Sequence, residues 1–161
     1  MSIQPWEELS REMAFQKYSR KIEKVMFRLP DGKESDFYIK KEGPATAILA
    51  LTKDNQVILA RQFRPGPMLV LNEMPGGLVD AGETPVEAAA RELLEETGYA
   101  GKALLAGEAL DCAYSTMKRY CVAITDCEKV AEPKLEATEF AETVLMPLDE
   151  FRELLRSGQL T

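Results

Sequence analysis

The stretch from Gly77 to Tyr99 constrains this chain more than any other. Thr84 followed by Pro85, with Glu87 three residues on, predicts a capping box with proline at the first helical position. Gly98 can end the same helix in a left-handed conformation. Between them Val86, Ala89, Ala90, Leu93, Leu94 and Thr97 recur at helical spacing and form the face expected to meet a core. Glu92, Glu95 and Glu96 lie on its flank at i, i+3 and i+4, so three like charges converge within one turn. That arrangement costs stability unless a cation sits among them. Ala88 and Ala89 leave the neighbouring surface bare, with room for a hydrated metal and a ligand. Oxygen-only donors suit a hard divalent cation, Mg²⁺ or Mn²⁺. A glutamate-rich amphipathic helix with a solvated edge fits the same pattern.

Composition removes several other classes. The net charge of −7 argues against a general nucleic-acid binder or a protein that lies on anionic membranes. No apolar run approaches the roughly 18 residues of a membrane span, and the N-terminus lacks the apolar core of a signal peptide. Histidine is absent, which excludes a histidine general base and most zinc sites. Cys112, Cys121 and Cys127 are odd in number without C-x-x-C spacing, and read as reduced, mostly buried thiols of a cytoplasmic protein. The length of 161 residues suits one domain.

The polar segment from Met1 to about Gln16 reads as a short helix or an arm, with Trp6 and Met13 as anchors. Strands are expected over Lys21–Leu29 and Asp36–Ile39, turned by Pro30-Asp31-Gly32-Lys33, making a hairpin ahead of the core. Ala45–Thr52 and Gln56–Phe63 follow as strands, then a loop at Arg64-Pro65-Gly66-Pro67 and a strand over Leu71–Met74. Beyond the helix, strands are expected over Leu104–Cys112, Arg119–Thr125 and Phe140–Met146, with Asp126–Ala137 as a loop. A terminal helix over Pro147–Arg156 would turn Leu148, Phe151, Leu154 and Leu155 inward.

Gly77, five residues, Glu83, seven residues, then Arg91-Glu92-Leu93-x-Glu95-Glu96-x-Gly98 match the Nudix box at its fixed positions, with Tyr99 where an aliphatic residue is usual. The chain therefore resembles the Nudix hydrolases. The resemblance implies an α/β fold: the Nudix-type α/β/α sandwich with a mixed sheet, here preceded by an N-terminal β-hairpin. The leading hairpin, Arg61-Gln62-Phe63-Arg64 and Glu73-Met74-Pro75-Gly76-Gly77 resemble the ADP-ribose and nucleotide-sugar pyrophosphatase branch. That branch implies a homodimer joined by residues 1–44, a catalytic core over 45–161, and no nucleic-acid or membrane partner.

The implied reaction is Mg²⁺-dependent hydrolysis of a nucleoside diphosphate linked to another moiety, ADP-ribose or another nucleotide sugar first. A dinucleoside polyphosphate is the alternative, favoured by Tyr114 and by the lack of a proline about fifteen residues past the motif; a non-catalytic nucleotide sensor is a third reading. The resemblance implies Glu92 and Glu96 as primary metal ligands, Glu95 as a further ligand or an orienting base, and the Gly76 carbonyl to complete the set, while Glu83 and Arg91 pair to fix the loop against the helix. Gly77 and Gly98 are structural. Arg61, Arg64, Lys118 and Arg119 are the cations available for phosphate or sugar, joined by Glu73. Tyr114 is available to stack on a base, whereas Phe63 and Tyr120 read as core. With no histidine, another carboxylate is the economical choice to deprotonate or position water, and the resemblance places it in the loop before the last core strand. Glu139 keeps the family-like spacing into the last strand; Glu136 and Glu142 compete with it.

Overall fold

The structure, a computed structural model, describes residues 3–135, 137 and 139–160. Chain contacts divide it into two compact units, Met1–Pro44 with Leu110–Lys118, and Ala45–Ala109 with Arg119–Thr161.

In the first unit β1 (Glu7–Lys17), β2 (Arg20–Arg28) and β3 (Glu34–Lys40) form an antiparallel sheet in that order. The short helix or arm expected at the N-terminus is thus a strand, and the hairpin is a three-stranded meander. Nothing along β1 is buried, so no apolar period betrays it; its ladder to β2 makes it a strand. Buried Glu23 accepts hydrogen bonds from Arg11 (2.5 Å) and Lys41 (2.7 Å). Trp6 packs on Phe27 and Phe37 at ring-centroid distances of 6.1 and 5.4 Å. Residues 110–118, expected in the core, belong here instead. The Lys40 N–H donates to the Tyr114 carbonyl (2.8 Å), and the Thr116 N–H donates to that of Lys40 (2.9 Å).

The second unit is a sheet with a helix on each face. Its strands are β4 (Ala45–Thr52), β5 (Gln56–Arg64), β6 (Leu69–Glu73), β7 (Tyr99–Leu110), β8 (Lys118–Lys129) and β9 (Ala141–Pro147). They run β6-β5-β4-β8-β7, with β9 also paired to β5. The β4–β8 pair is parallel and β5 is antiparallel to β4, β6 and β9, so the sheet is mixed. The continuous apolar run of β4 follows from burial on both faces. Ile48 and Ala50 join Ile58, Val122 and Ile124 beneath Ala89 and Leu93 of α1 (Pro85–Thr97). Leu49 and Leu51 face the other way, with Val57 and Leu59, towards Phe151 of α2 (Leu148–Ser157). Leu155, expected inward on α2, is exposed, and Leu160 packs there instead. β8 runs on to Lys129, through part of the expected loop. Of the cysteines only Cys127 is buried; Cys112 and Cys121 are exposed. Val122 and Ile124 take the buried face of β8, leaving Cys121 on the other.

β4 and β5 pair over only two positions, Ala50↔Ile58 and Leu51↔Val57. Nearer the start of β4 the segment after β6 pairs instead: the Ile48 N–H donates to the Pro75 carbonyl (2.9 Å) and the Thr46 N–H to that of Gly77 (2.8 Å). This carries the glycine pair beneath the glutamate-bearing side of α1.

Candidate active site

α1 is closed at both ends by the expected devices. The Thr84 hydroxyl accepts from the Glu87 N–H (3.3 Å) and the Glu87 carboxylate from the Thr84 N–H (2.8 Å). Gly98 takes φ 76°, a left-handed geometry that glycine reaches without strain. Its carbonyl accepts from the Val130 and Ala131 N–H groups at 2.9 and 3.1 Å, and the Lys134 N–H donates to the Glu95 carbonyl at 2.7 Å. The chain after β8 is thereby returned to the C-terminal end of α1.

The buried stripe of α1 is Ala88, Ala89, Leu93 and Thr97; Ala90 and Leu94 are exposed. It is rotated from the expected face towards the glutamates, so Ala88 and Ala89 serve close packing against the sheet rather than open space for a ligand. The rotation draws Glu92 and Glu96 to the edge of the core. A Cβ on Gly77 would displace the Glu92 carboxylate, and one on Gly76, whose φ is 156°, would run into the Thr46 carbonyl of β4.

Arg91 does more than brace the loop. Its Nε and Nη2 donate to the two Glu83 oxygens (2.8 and 3.0 Å) and Nη2 also to the Leu78 carbonyl (3.1 Å). Nη1 donates at once to Glu92 (2.8 Å) and Glu95 (3.1 Å). A cation does sit among the glutamates, and it comes from their own helix. Arg91 holds the Glu83 carboxyl below its usual range.

Glu96 is the least relieved of the three. Burial, with the charges of Glu92 and Glu139 nearby, pushes its carboxyl up to about 7, against a lowering from the Gly76 N–H that donates to it (3.3 Å). Burial also raises Glu92, with Arg91 opposing. These carboxylates line a cavity of about 410 Å³ with Glu95, Gly76, Lys134 and Glu139. Glu139 thus reaches the motif carboxylates from a different segment. Glu142 does not line this cavity and pairs with Arg61 at 3.4 Å; Glu136 lies outside the described residues.

The expected substrate contacts divide. Arg64 lies beside Glu96 and Glu139 in an adjoining cavity. Glu73 is not a surface contact: at 3% exposure it is buried, and it accepts from Arg64 Nε (2.7 Å) and Gln62 (3.2 Å), holding Arg64 in place. Arg61 lines an outer cavity. Arg119, on β8, lines neither of these cavities nor that of the glutamates. Tyr114 belongs to the first unit, where its ring stacks on Phe37. Phe63, expected in the core, is 51% exposed. Lys134 was not foreseen as a lining residue, because only the turn-back bonds at Gly98 and Glu95 deliver it.

No three acidic groups among the described residues stand close enough to share an ion in this arrangement. The donors nevertheless fit a divalent cation. Glu92 and Glu95 already converge on one positive charge, the Arg91 guanidinium. Glu96 is half-buried and accepts from the Gly76 N–H, and no side-chain cation among the described residues is bonded to it. An all-oxygen set of this kind suits Mg²⁺ or Mn²⁺.

Comparison with known proteins agrees with this geometry. The family described as NUDIX domain matches residues 41–160. An ADP-ribose pyrophosphatase of Saccharomyces cerevisiae is 40% identical over 93 residues, covering 50% of this chain and 40% of that protein. One from Bacillus subtilis is 43% identical over 76 residues, covering 47% and 41%. The chain thus spans about two fifths of the length of these curated relatives. A CMP-5'-(N-acetyl-N-hydroxy-3-aminopropyl)phosphonate hydrolase of Streptomyces rubellomurinus is 34% identical over 134 residues, covering 81% and 64%. Among solved structures, one described as an ADP compounds hydrolase superposes with a TM-score of 0.83 at 24% identity, covering 97% of this chain and 85% of that one; it shows the shared fold. With its motif, its sheet and most of its length accounted for in this way, the chain belongs to the NUDIX domain family.

Proposed function

We propose that the chain is a divalent-cation-dependent hydrolase of nucleoside diphosphates joined to another moiety, with ADP-ribose the leading substrate and a nucleoside monophosphate and a sugar phosphate as products. One observation carries the reading: Glu92, Glu95, Glu96 and Glu139 line a single cavity. That two relatives are ADP-ribose pyrophosphatases favours the substrate.

Glu92, Glu95 and Glu96, with the Gly76 carbonyl, would hold Mg²⁺ or Mn²⁺. Such an ion supplies positive charge to phosphate oxygens and lowers the pKa of water. Arg91 is committed to Glu83, Leu78 and the glutamates, so it sets the helix against the loop. Arg64, fixed by Glu73, offers its remaining hydrogen-bonding capacity to a phosphate beside Glu96 and Glu139. Glu139 orients the attacking water and takes its proton. The water oxygen bonds to one phosphorus, the bridging P–O bond breaks, and its electron pair leaves with the departing phosphate.

The same reading makes the protein a homodimer joined through the first unit, supported by the half-exposed Trp6 and by Phe15 and Tyr38 on its strands. Sedimentation as a monomer at micromolar concentration contradicts that part.

Incubation with Mg²⁺ and a panel of diphosphates, products resolved, tests the whole. AMP and ribose 5-phosphate from ADP-ribose are expected, and Glu92→Gln removes most turnover from a folded protein. Mononucleotides released only from dinucleoside polyphosphates move the substrate class. Binding without turnover rejects catalysis.

A further inference from the structure

The glutamate cavity carries an excess of negative charge that one metal ion does not cancel. Its lining holds five carboxylates, those of the four glutamates and Asp80, against two cations, Arg91 and Lys134. With all of them ionised, a divalent ion still leaves the lining negative, and a diphosphate entering it is repelled. Arg91 has nothing left to offer. Its Nε, Nη1 and Nη2 already donate to Glu83, Glu92, Glu95 and the Leu78 carbonyl. Lys134 differs. Among the described residues its ammonium makes no hydrogen bond and no ion pair; only its backbone N–H is engaged, with the Glu95 carbonyl at 2.7 Å.

The mount of this free ammonium is nevertheless fixed. Pro133 restricts the backbone just before it, and the Val130 and Ala131 N–H groups tie the same segment to the Gly98 carbonyl at 2.9 and 3.1 Å. The lysine stem therefore starts from the end of α1 that carries Glu95 and Glu96. A second cation approaches the same carboxylates from elsewhere. The adjoining cavity, of about 480 Å³, shares Gly76, Glu96 and Glu139 with the first, and is lined by Arg64 but not by Lys134. Strand alternation agrees: Ile58 of β5 packs under α1, and Arg64, an even number of residues on, shares that face. Arg64 and Lys134 thus reach the Glu96–Glu139 boundary from two segments. Two phosphoryl groups joined through one oxygen are an anion that two cations so placed engage together.

We infer that Lys134 binds one phosphoryl group of the substrate's diphosphate, on the glutamate side of the Glu96–Glu139 boundary, while Arg64 takes the neighbouring one. This role of Lys134 rests on the diphosphate reading of the site, but not on ADP-ribose being the substrate or on its cleavage. Lysine suits it, as a point charge with three rotatable donors on a flexible stem. Lys134 is a binding residue here, and proton transfer stays with the carboxylates.

The test is calorimetric titration of the full chain, in saturating Mg²⁺, by ADP and by adenosine, alongside ADP-ribose turnover. The Lys134 side chain is exposed, and Lys134→Met keeps its backbone N–H and most of its stem, so the fold is kept, which melting curves check. ADP affinity should fall about 10-fold in Lys134→Met, Lys134→Arg should recover most of it, and adenosine should bind all three alike. The gap between wild type and Lys134→Met should narrow as NaCl is raised. Such a charge-dependent loss, in a protein that leaves ADP-ribose uncleaved, supports the role of Lys134 and rejects the hydrolase reading. Unchanged ADP affinity in Lys134→Met, with ADP-ribose cleaved at the wild-type KM, overturns the role and leaves that reading standing, the lysine being a solvated surface residue. Adenosine weakened as much as ADP overturns it, as does a wild type that binds no ADP. Tighter Mg²⁺ binding by Lys134→Met with ADP affinity unchanged also overturns it, since the ammonium then only repels the metal.

Discussion

The motif helix and the N-terminal sheet are held by opposite means. α1 carries its own punctuation, a reciprocal Thr84–Glu87 box and a left-handed Gly98, and presses Ala89 and Leu93 into a closed apolar cluster. The first unit has little apolar interior: among the described residues of β1–β3, Val25 is its one fully buried hydrophobic side chain. Its order comes from backbone ladders, the Trp6-Phe27-Phe37 ring contacts and Glu23 held between Arg11 and Lys41. The candidate site is thus mounted on the part with the most burial. The part with the least burial presents exposed rings and charges.

The two can be set against each other by truncation. Leu93→Ala removes a side chain with no exposed surface from beneath the glutamates and should cost about 2–5 kcal/mol. Calorimetric melting measures it, and a loss below about 1 kcal/mol would show that α1 is loosely seated. Phe15→Ala on β1, a ring 53% exposed, should cost less than about 0.5 kcal/mol. A larger loss that depends on protein concentration would place Phe15 in a dimer interface.

Between these extremes lies a pH effect confined to the carboxylate cavity. The folded-state Glu96 carboxyl is raised from 4.5 to about 7, mainly by burial. The folded state therefore favours the protonated form. Glu96 leaves stability untouched below about 4.5, and withdraws it progressively as pH rises to about 7. At about 1.4 kcal/mol per pH step, the penalty at pH 8 is on the order of 3 kcal/mol in cation-free protein. Carboxylates with lowered values, such as Glu83 and Glu87, act oppositely, but only at and below their ordinary range. Melts in EDTA should thus show stability falling from pH 5.5 to 8, a slope that Glu96→Gln flattens. Mg²⁺ should raise Tm more at pH 8 than at pH 5.5. A Mg²⁺ effect that is equal at both values argues against Glu96 as a ligand. Thr84→Ala, which removes the cap, should cost about 1 kcal/mol with no pH dependence over this range.

What was legible in the sequence follows the same division. The bounds of α1 were readable because every signal, from Thr84 to Gly98, lies within one helix length. β4 was readable because a strand buried on both faces is a continuous apolar run. β1 was not, since its side chains are almost all exposed and only its pairing makes it a strand. Ala89, Leu93 and Thr97 are buried as their spacing implies, whereas Ala88 takes the place of Ala90 and Leu94 because a small residue packs closely against the opposing sheet. Spacing shows the pair of Arg91 with Glu83 but not its second hold, on Glu92 and Glu95, which depends on rotamers that spacing alone leaves open. Lys134 reaches the site only through bonds formed after the chain has crossed the sheet.

Glu139 is the carboxylate brought to the glutamate cavity from outside the motif, and the proposed hydrolysis depends on it. The most direct measurement is kcat for ADP-ribose with saturating Mg²⁺ in Glu139→Gln, beside Glu136→Gln and Glu142→Gln. A fall of about 10²–10⁴-fold in Glu139→Gln, with KM, Tm and the Mg²⁺ requirement unchanged, is the expected result. Near-wild-type turnover in that variant, with a loss of this size in either of the other two, would contradict the assignment of the base.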